Sequence, residues 1–388
     1  MATVDWNQDS RLANNRTRHS QVPLTITLLV LTRLGIGLPA SGQEADFSGL
    51  HLHVEQDLFV KCFGLGGDQN YTMGLGIQAT GRSLRHFGGP QHAIDWLLTR
   101  AIPRVRLTPD RKWDPTFHSF TLVGSAFTPD SLLATEPVRG DRPYASLLGL
   151  VSSRTWVNGA AGQNDRYAIT TELGLGFLGL GVSRKIQTKI HDWLEADPPS
   201  GWDHQISNGG EFTGFYHVGV RRRLTPYFAR GTKKSHEFSL DGDLWLGYYT
   251  NASFGLTGRI GEFYSRYYEF ASAPIASVAQ ALNAAPNRSE FFAFGAARVR
   301  GVVYNALLQG AFFKDSPYTL SNSEIERAVF ELEGGIHGAI SLRGRYSLYA
   351  TWVMVAGRSP EFDTAFSRWH WWGSLQVGLM RSTPPTGR

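Results

Sequence analysis

Every second residue from Tyr71 to Ala79 is apolar, and the residues between them, Thr72, Gly74, Gly76 and Gln78, are small or polar. A period of two marks an extended strand with two unlike faces. The pattern returns near the C-terminus with charge on the minor face. There Phe330, Leu332, Ile336 and Ile340 alternate with Glu331, Glu333, His337 and Ser341, and Leu342, Tyr346, Leu348, Trp352 and Met354 with Arg343, Arg345, Ser347 and Thr351. After the first 45 residues no stretch reaches the roughly 18 apolar residues of a spanning helix. Any membrane crossing must therefore be made by strands, with apolar side chains toward lipid and polar ones inward.

Such segments lie near residues 49–59, 70–82, 116–127, 143–157, 166–178, 211–224, 235–249, 252–263, 299–313, 326–340, 342–356 and 367–380. Each is long enough for the roughly 9 to 11 residues of a tilted transmembrane strand. Tyr248 with Tyr249, Tyr267 with Tyr268, and Trp369 with Trp371 and Trp372 fall at segment ends, as interfacial girdles do. The 43 glycines and the low 18% of charged residues suit a β architecture. The sequence thus predicts an all-β, antiparallel transmembrane barrel of about 12 strands over 46–388, with a soluble β-sandwich or β-barrel as the competing fold. Two intervals, 83–115 and 264–298, are long for turns. The first contains HAIDWLLTRAIPRVRL, which reads as an amphipathic helix at the periplasmic surface, with a lid or a membrane anchor as alternatives.

Residues 1–45 read as a secretory signal: Arg11, Arg16 and Arg18 precede an apolar run that ends in small residues, although Arg33 interrupts it. The net charge of +5 would suit an anionic partner, but the basic residues are scattered and form no nucleic-acid motif. The single Cys62 excludes a disulfide framework and a cysteine-rich metal site.

Between segments five and six the sequence predicts a short polar helix bearing Gln187 and His191. Four residues apart, they share one helical face, with Ile186, Ile190 and Trp193 on a flank that can pack down. This reading presents the imidazole rather than burying it. If the mature chain starts in the periplasm, strand parity brings Asp57, Thr72 and this helix together at the extracellular rim.

The motifs EQDLF at 55–59, DQNYTMG at 68–74, GDRPYAS at 140–146, and TELGLGFLG followed by QTKIH and GWDHQ resemble the lipid A 3'-O-deacylase family of Gram-negative outer membranes. The resemblance spans about residues 47–380. It implies a twelve-stranded outer-membrane barrel and a calcium-dependent hydrolase that removes the 3'-linked acyloxyacyl group from lipid A or lipopolysaccharide. By position, His191 matches the family's catalytic histidine and Gln187 its neighbouring glutamine. Asp57 matches the acidic residue closing strand one, and Thr72 the residue heading strand two. Asp57, Gln56 and Asp197 are the implied contributors to a Ca²⁺ site. Gln56 stands where the family has asparagine and Asp197 where it has glutamate. Leu132 and Leu133 replace a basic pair in the loop before Gly140.

Ester hydrolysis needs a base for water and positive character for the developing oxyanion. An imidazole, ordinarily titrating near ~6.5, can serve as the base, and such a base contributes about 10² to 10⁴ in rate. A hard cation takes roughly 6 to 8 oxygen ligands and can polarise the carbonyl. The alternatives are a non-enzymatic barrel, either a channel or a structural protein, and an esterase for another lipid. His51, His53 and Glu55 alternate inward without forming an assigned metal site. Asp141 and Arg142 read as a structural ion pair, and Trp193 and Trp202 as interface anchors.

Overall fold

A computed structural model describes residues 47–381, apart from 66–69, 82–83, 85–88, 102–112, 159–165, 195–198, 229–230, 271–287 and 343–345. The chain divides into units 1–45 and 46–388. The signal-peptide reading of the first unit lies outside the described residues.

The second unit is a closed barrel of twelve antiparallel strands in sequence order. They are β1 (Phe47–Gln56), β2 (Asn70–Gly81), β3 (Trp113–Thr128), β4 (Ala145–Asn158), β5 (Tyr167–Leu178), β6 (Glu211–Arg223), β7 (Lys234–Gly247), β8 (Tyr249–Phe263), β9 (Glu290–Asn305), β10 (Ala328–Leu342), β11 (Tyr346–Arg358) and β12 (His370–Arg381). Among the described residues three α-helices interrupt the meander: α1 (Gly89–Ala101), α2 (Val182–Leu194) and the single turn α3 (Ala306–Gln309). β1 pairs with both β2 and β12, so no strand edge is left open. The end at which β1 passes into β2 is called the upper end here.

Alternation separates two environments. On β10, Val329, Glu331, Glu333, His337 and Ala339 are buried inside, while Phe330, Leu332 and Ile340 are exposed outside. On β9 the buried Arg298 and Arg300 alternate with the exposed Val299 and Val303. The lumen is filled rather than open. A chain of short contacts crosses it, from Glu172 to His217 (2.8 Å), Asp243 (2.9 Å), Arg298 (3.9 Å), Glu331 (3.5 Å), Arg358 (2.8 Å), Glu361 (3.1 Å) and Arg142 (3.3 Å). His51, His53 and Glu55 do face inward, and His51 Nδ1 lies 2.8 Å from the Tyr349 hydroxyl.

Three expectations are corrected. β9 covers 290–305 rather than 299–313. The apolar run after Asn305 leaves the sheet because the Asn305 side chain accepts from Leu307 N–H and caps α3. The aromatic pairs are mostly not girdles: Tyr248, Tyr249, Tyr267 and Trp372 are buried, and only Trp369 stands well exposed. Tyr71 does not share an outer face with Leu75. A register shift between Tyr71 and Met73 inserts Thr72 as an extra residue. Tyr71 consequently packs against Phe127 and Trp372 and donates to Glu55.

Candidate active site

β1 ends at Gln56, and Asp57 begins a 3-10 segment, Asp57–Phe63. Asp57 is buried and Gln56 half-buried. Gln56 pairs in register with Met73, one residue beyond the Thr72 bulge, so the β1 end and the β2 head are neighbours. The Thr72 hydroxyl lies 2.7 Å from that of Thr128 at the end of β3.

Met73 packs with Ala126, Tyr144 and Trp202, a small cluster separate from the main core. The rings of Tyr144 and Trp202 lie 4.9 Å apart. Gly201 makes this approach possible, because a Cβ there would come within 2.4 Å of the Tyr144 ring. The Tyr144 hydroxyl donates to the Leu132 carbonyl at 3.1 Å, and Ser200 N–H donates to the same carbonyl at 2.8 Å. Trp202 Nε1 donates to Gln187 Oε1 at 2.8 Å, which ties this cluster to α2.

α2 lies against β3. Its buried face is Ser183, Gln187 and His191, at helical spacing, while Val182 and Ile186 are exposed. This inverts the sequence expectation: the imidazole is packed inward and Ile186 faces out. In water the apolar flank would be the one to pack down. Here the outward side is shared by Val182 and Ile186 with the exposed Arg184, Lys185, Lys189 and Asp192, and the buried stripe is held by the hydrogen bond from Trp202 to Gln187. The side chains of Ile190 and Trp193 lie outside the described residues, as does Asp197. An Arg184–Asp203 ion pair of 2.6 Å fastens the helix to the following segment. Gly179 opens the connection with φ +72°, where a Cβ would meet the Ser207 carbonyl at 2.1 Å.

An indole N–H can only donate, so Gln187 must offer its oxygen to Trp202. Its Nε2 is then directed elsewhere, and that buried nitrogen has no hydrogen-bond partner among the described residues. The structure therefore brings Gln56, Asp57, Thr72, Gln187 and His191 to one end of the barrel. Ser183, Thr128, Tyr144 and Trp202 join them, and none of these was assigned to the site from sequence. The spacing 183, 187, 191 would have exposed Ser183. Trp202 is no interface anchor, being 1% exposed.

The neighbouring GDRPYAS loop is structural, but not through an Asp141–Arg142 ion pair. Asp141 accepts from the backbone of Asp130 and Arg142 and pairs with Arg368 at 2.9 Å. Arg142 pairs instead with Glu361 in the β11–β12 connection. Burial opposes the Glu361 charge, but the Arg358 and Arg142 guanidinium groups overcome it and hold the carboxyl below its ordinary range.

Residues 24–380 match the family described as outer membrane protein LpxR. The chain belongs to the LpxR family. Among solved structures it is similar to LpxR from Salmonella typhimurium, with a TM-score of 0.62 at 14% identity, over 85% of this chain and 99% of that one. The β domain of the Bordetella autotransporter Brka gives a TM-score of 0.35 at 12% identity, over 87% of this chain and all of that one. No curated protein matches the sequence. The LpxR family and the barrel together place the chain in the outer membrane, and the motif resemblance and the twelve-stranded fold both stand.

Proposed function

We propose that this LpxR-family barrel is a carboxylic ester hydrolase that removes the 3'-linked acyloxyacyl group from lipid A, with its upper end on the extracellular side. The observation that carries the reading is Gln187, buried beside His191 on one face of α2, its oxygen held by Trp202 and its Nε2 left as an N–H donor. His191 takes a proton from water, the hydroxide adds to the ester carbonyl, and Gln187 Nε2 donates to the oxyanion. Collapse releases the acyl group as a carboxylic acid, and the proton passes to the departing sugar oxygen. A preorganised donor of this kind is worth about 10² to 10³ in turnover. Thr72 stands at the β2 head as a further hydroxyl for orienting water or substrate.

Calcium is part of the proposal. Asp57 is a buried carboxylate and Gln56, its neighbour in the chain, a half-buried amide, and side-chain oxygens of these two types are the hard donors that Ca²⁺ prefers. Among the described residues no three His, Cys, Asp or Glu side chains form a metal cluster. Backbone carbonyls, water, lipid oxygens and Asp197 are left to complete the shell. Bound calcium would supply Lewis-acid polarisation of the carbonyl.

Leu133 is exposed at the upper end, where the resembling enzymes carry a basic pair, and this favours a second reading as an esterase for a less anionic lipid. The charged chain crossing the lumen weighs against a channel. Mass spectrometry of lipid A after incubation with refolded protein distinguishes these readings. Loss of the 3' acyloxyacyl mass, abolished by chelator and by His191→Ala, is expected. An unchanged lipid A spectrum from folded protein with calcium would overturn the lipid A assignment.

A further inference from the structure

The lower half of the outer wall carries a charge that a lipid-facing surface should not have. Leu122, Leu150 and Leu175 are neighbours on β3, β4 and β5, point outward and are each 44–46% exposed. Four residues further down β4 on the same outward face stands Arg154, in register with His118 and Thr171. Arg154 is nonetheless only 1% exposed.

Helix α1 supplies the cover. Arg154 Nη1 donates to Asp95 Oδ2 at 3.1 Å, and the Tyr216 hydroxyl on β6 donates to Asp95 Oδ1 at 2.6 Å. Tyr216 is itself outward-facing, since it pairs in register with the exposed Leu246. One helical turn away, Gln91 Nε2 donates to the Thr171 carbonyl at 2.9 Å and to its hydroxyl at 3.1 Å. Gln91 and Asp95 of α1 therefore face the barrel, and its other side presents Trp96 and Leu97, 47% and 57% exposed, with the exposed His92 one turn before Trp96. The Arg100 guanidinium lies 3.9 Å above the Trp96 ring. A helix bathed in water would bury Trp96 and Leu97 and expose Asp95.

We propose that α1 is immersed in the bilayer against the outside of the barrel, with Trp96 and Leu97 in contact with phospholipid acyl chains of the leaflet at the lower end. The occupant follows from continuity: the apolar side of α1 extends the leucine belt of β3, β4 and β5, while Asp95 neutralises the Arg154 guanidinium below that belt. Arg100 over Trp96 suits the headgroup boundary, where a cation and an indole both find partners. This inference rests on the barrel's place in the outer membrane and not on the reaction proposed above.

The test uses the full chain with Cys62→Ser, refolded into phosphatidylcholine vesicles, carrying a single cysteine in place of Leu97, Leu175 or Ser323. Each cysteine is labelled with a polarity-sensitive fluorophore and challenged with doxyl-labelled phosphatidylcholine or with aqueous iodide. The Leu97 label should lose emission to doxyl lipid as the Leu175 label does, while iodide quenches only the Ser323 label. Iodide quenching at Leu97 equal to that at Ser323, with no effect of doxyl lipid, would overturn the proposal. A Leu175 label that escapes the lipid quencher would overturn the membrane placement of the barrel, and the proposal with it.

Discussion

Trp202 donates its indole N–H to the side-chain oxygen of Gln187 across 2.8 Å in a fully buried contact, and so fixes which way the Gln187 amide points. Without that donor the two ends of the amide would be interchangeable.

Trp202→Phe should therefore keep the ring contact with Tyr144 while freeing the amide to turn over. The expected result is about a hundredfold loss in turnover, because misplacement of a catalytic donor costs about that much. Stability should fall by about 1 kcal/mol. Steady-state acyl release checks this, with the loss expected in kcat rather than KM. Wild-type turnover in the variant would remove Gln187 from the chemistry.

Thr72→Val and Thr128→Val delete the same 2.7 Å hydroxyl contact from opposite sides. Each should lower stability by about 1 kcal/mol. If Thr72 also meets water or substrate, only its variant loses acyl release strongly, and Thr72→Ser restores it. Equal activities for the two valine variants would make Thr72 structural.

Glu361 ties acid stability to the loop beside the site. Its carboxyl is held below the ordinary range in the fold, so the stability it contributes is fully present above its unfolded pKa of about 4.3 and is lost as pH falls through the folded value. Glu361→Gln leaves Arg142 and Arg358 short of a partner and should cost about 3 to 5 kcal/mol at neutral pH. Chemical unfolding midpoints followed from pH 7 downward should converge for wild type and variant in acid. A gap that stays constant with pH would sink the assignment.

Asp95→Ala strands Arg154 on the outer wall, and removal of one partner from a buried ion pair typically costs about 3 to 5 kcal/mol. Replacing Arg154 by Leu in the same chain should recover most of that loss. Urea unfolding of the single and double variants in vesicles measures the difference, and independent, additive effects would count against the pairing.

The strands were legible because each lies between two different solvents, packed lumen and lipid, so alternation persists through Glu331, Glu333 and His337. Tyr71 and β9 were misread for local reasons. A bulge shifts the register at Thr72 without interrupting alternation, and the run after Asn305 is apolar whether it continues as strand or turns into α3. The Gln187/His191 helix was read with its faces reversed, since amphipathicity names an apolar side but not the contacts, such as that of Trp202 with Gln187, that decide which side packs down. Gln187 and His191 were found by spacing and motif. Trp202, which orients Gln187, was not, because its partner lies fifteen residues back and the contact exists only once α2 folds against β3.

The charged chain from Glu172 to Arg142 leaves the barrel interior occupied, and the candidate site is assembled where α2 meets the β3 wall. A lipid reaching it would travel sideways within its own leaflet rather than through a pore. Turnover should then follow the mole fraction of substrate in the surface and respond to surface dilution with inert lipid, even when the amount in the bulk suspension is unchanged.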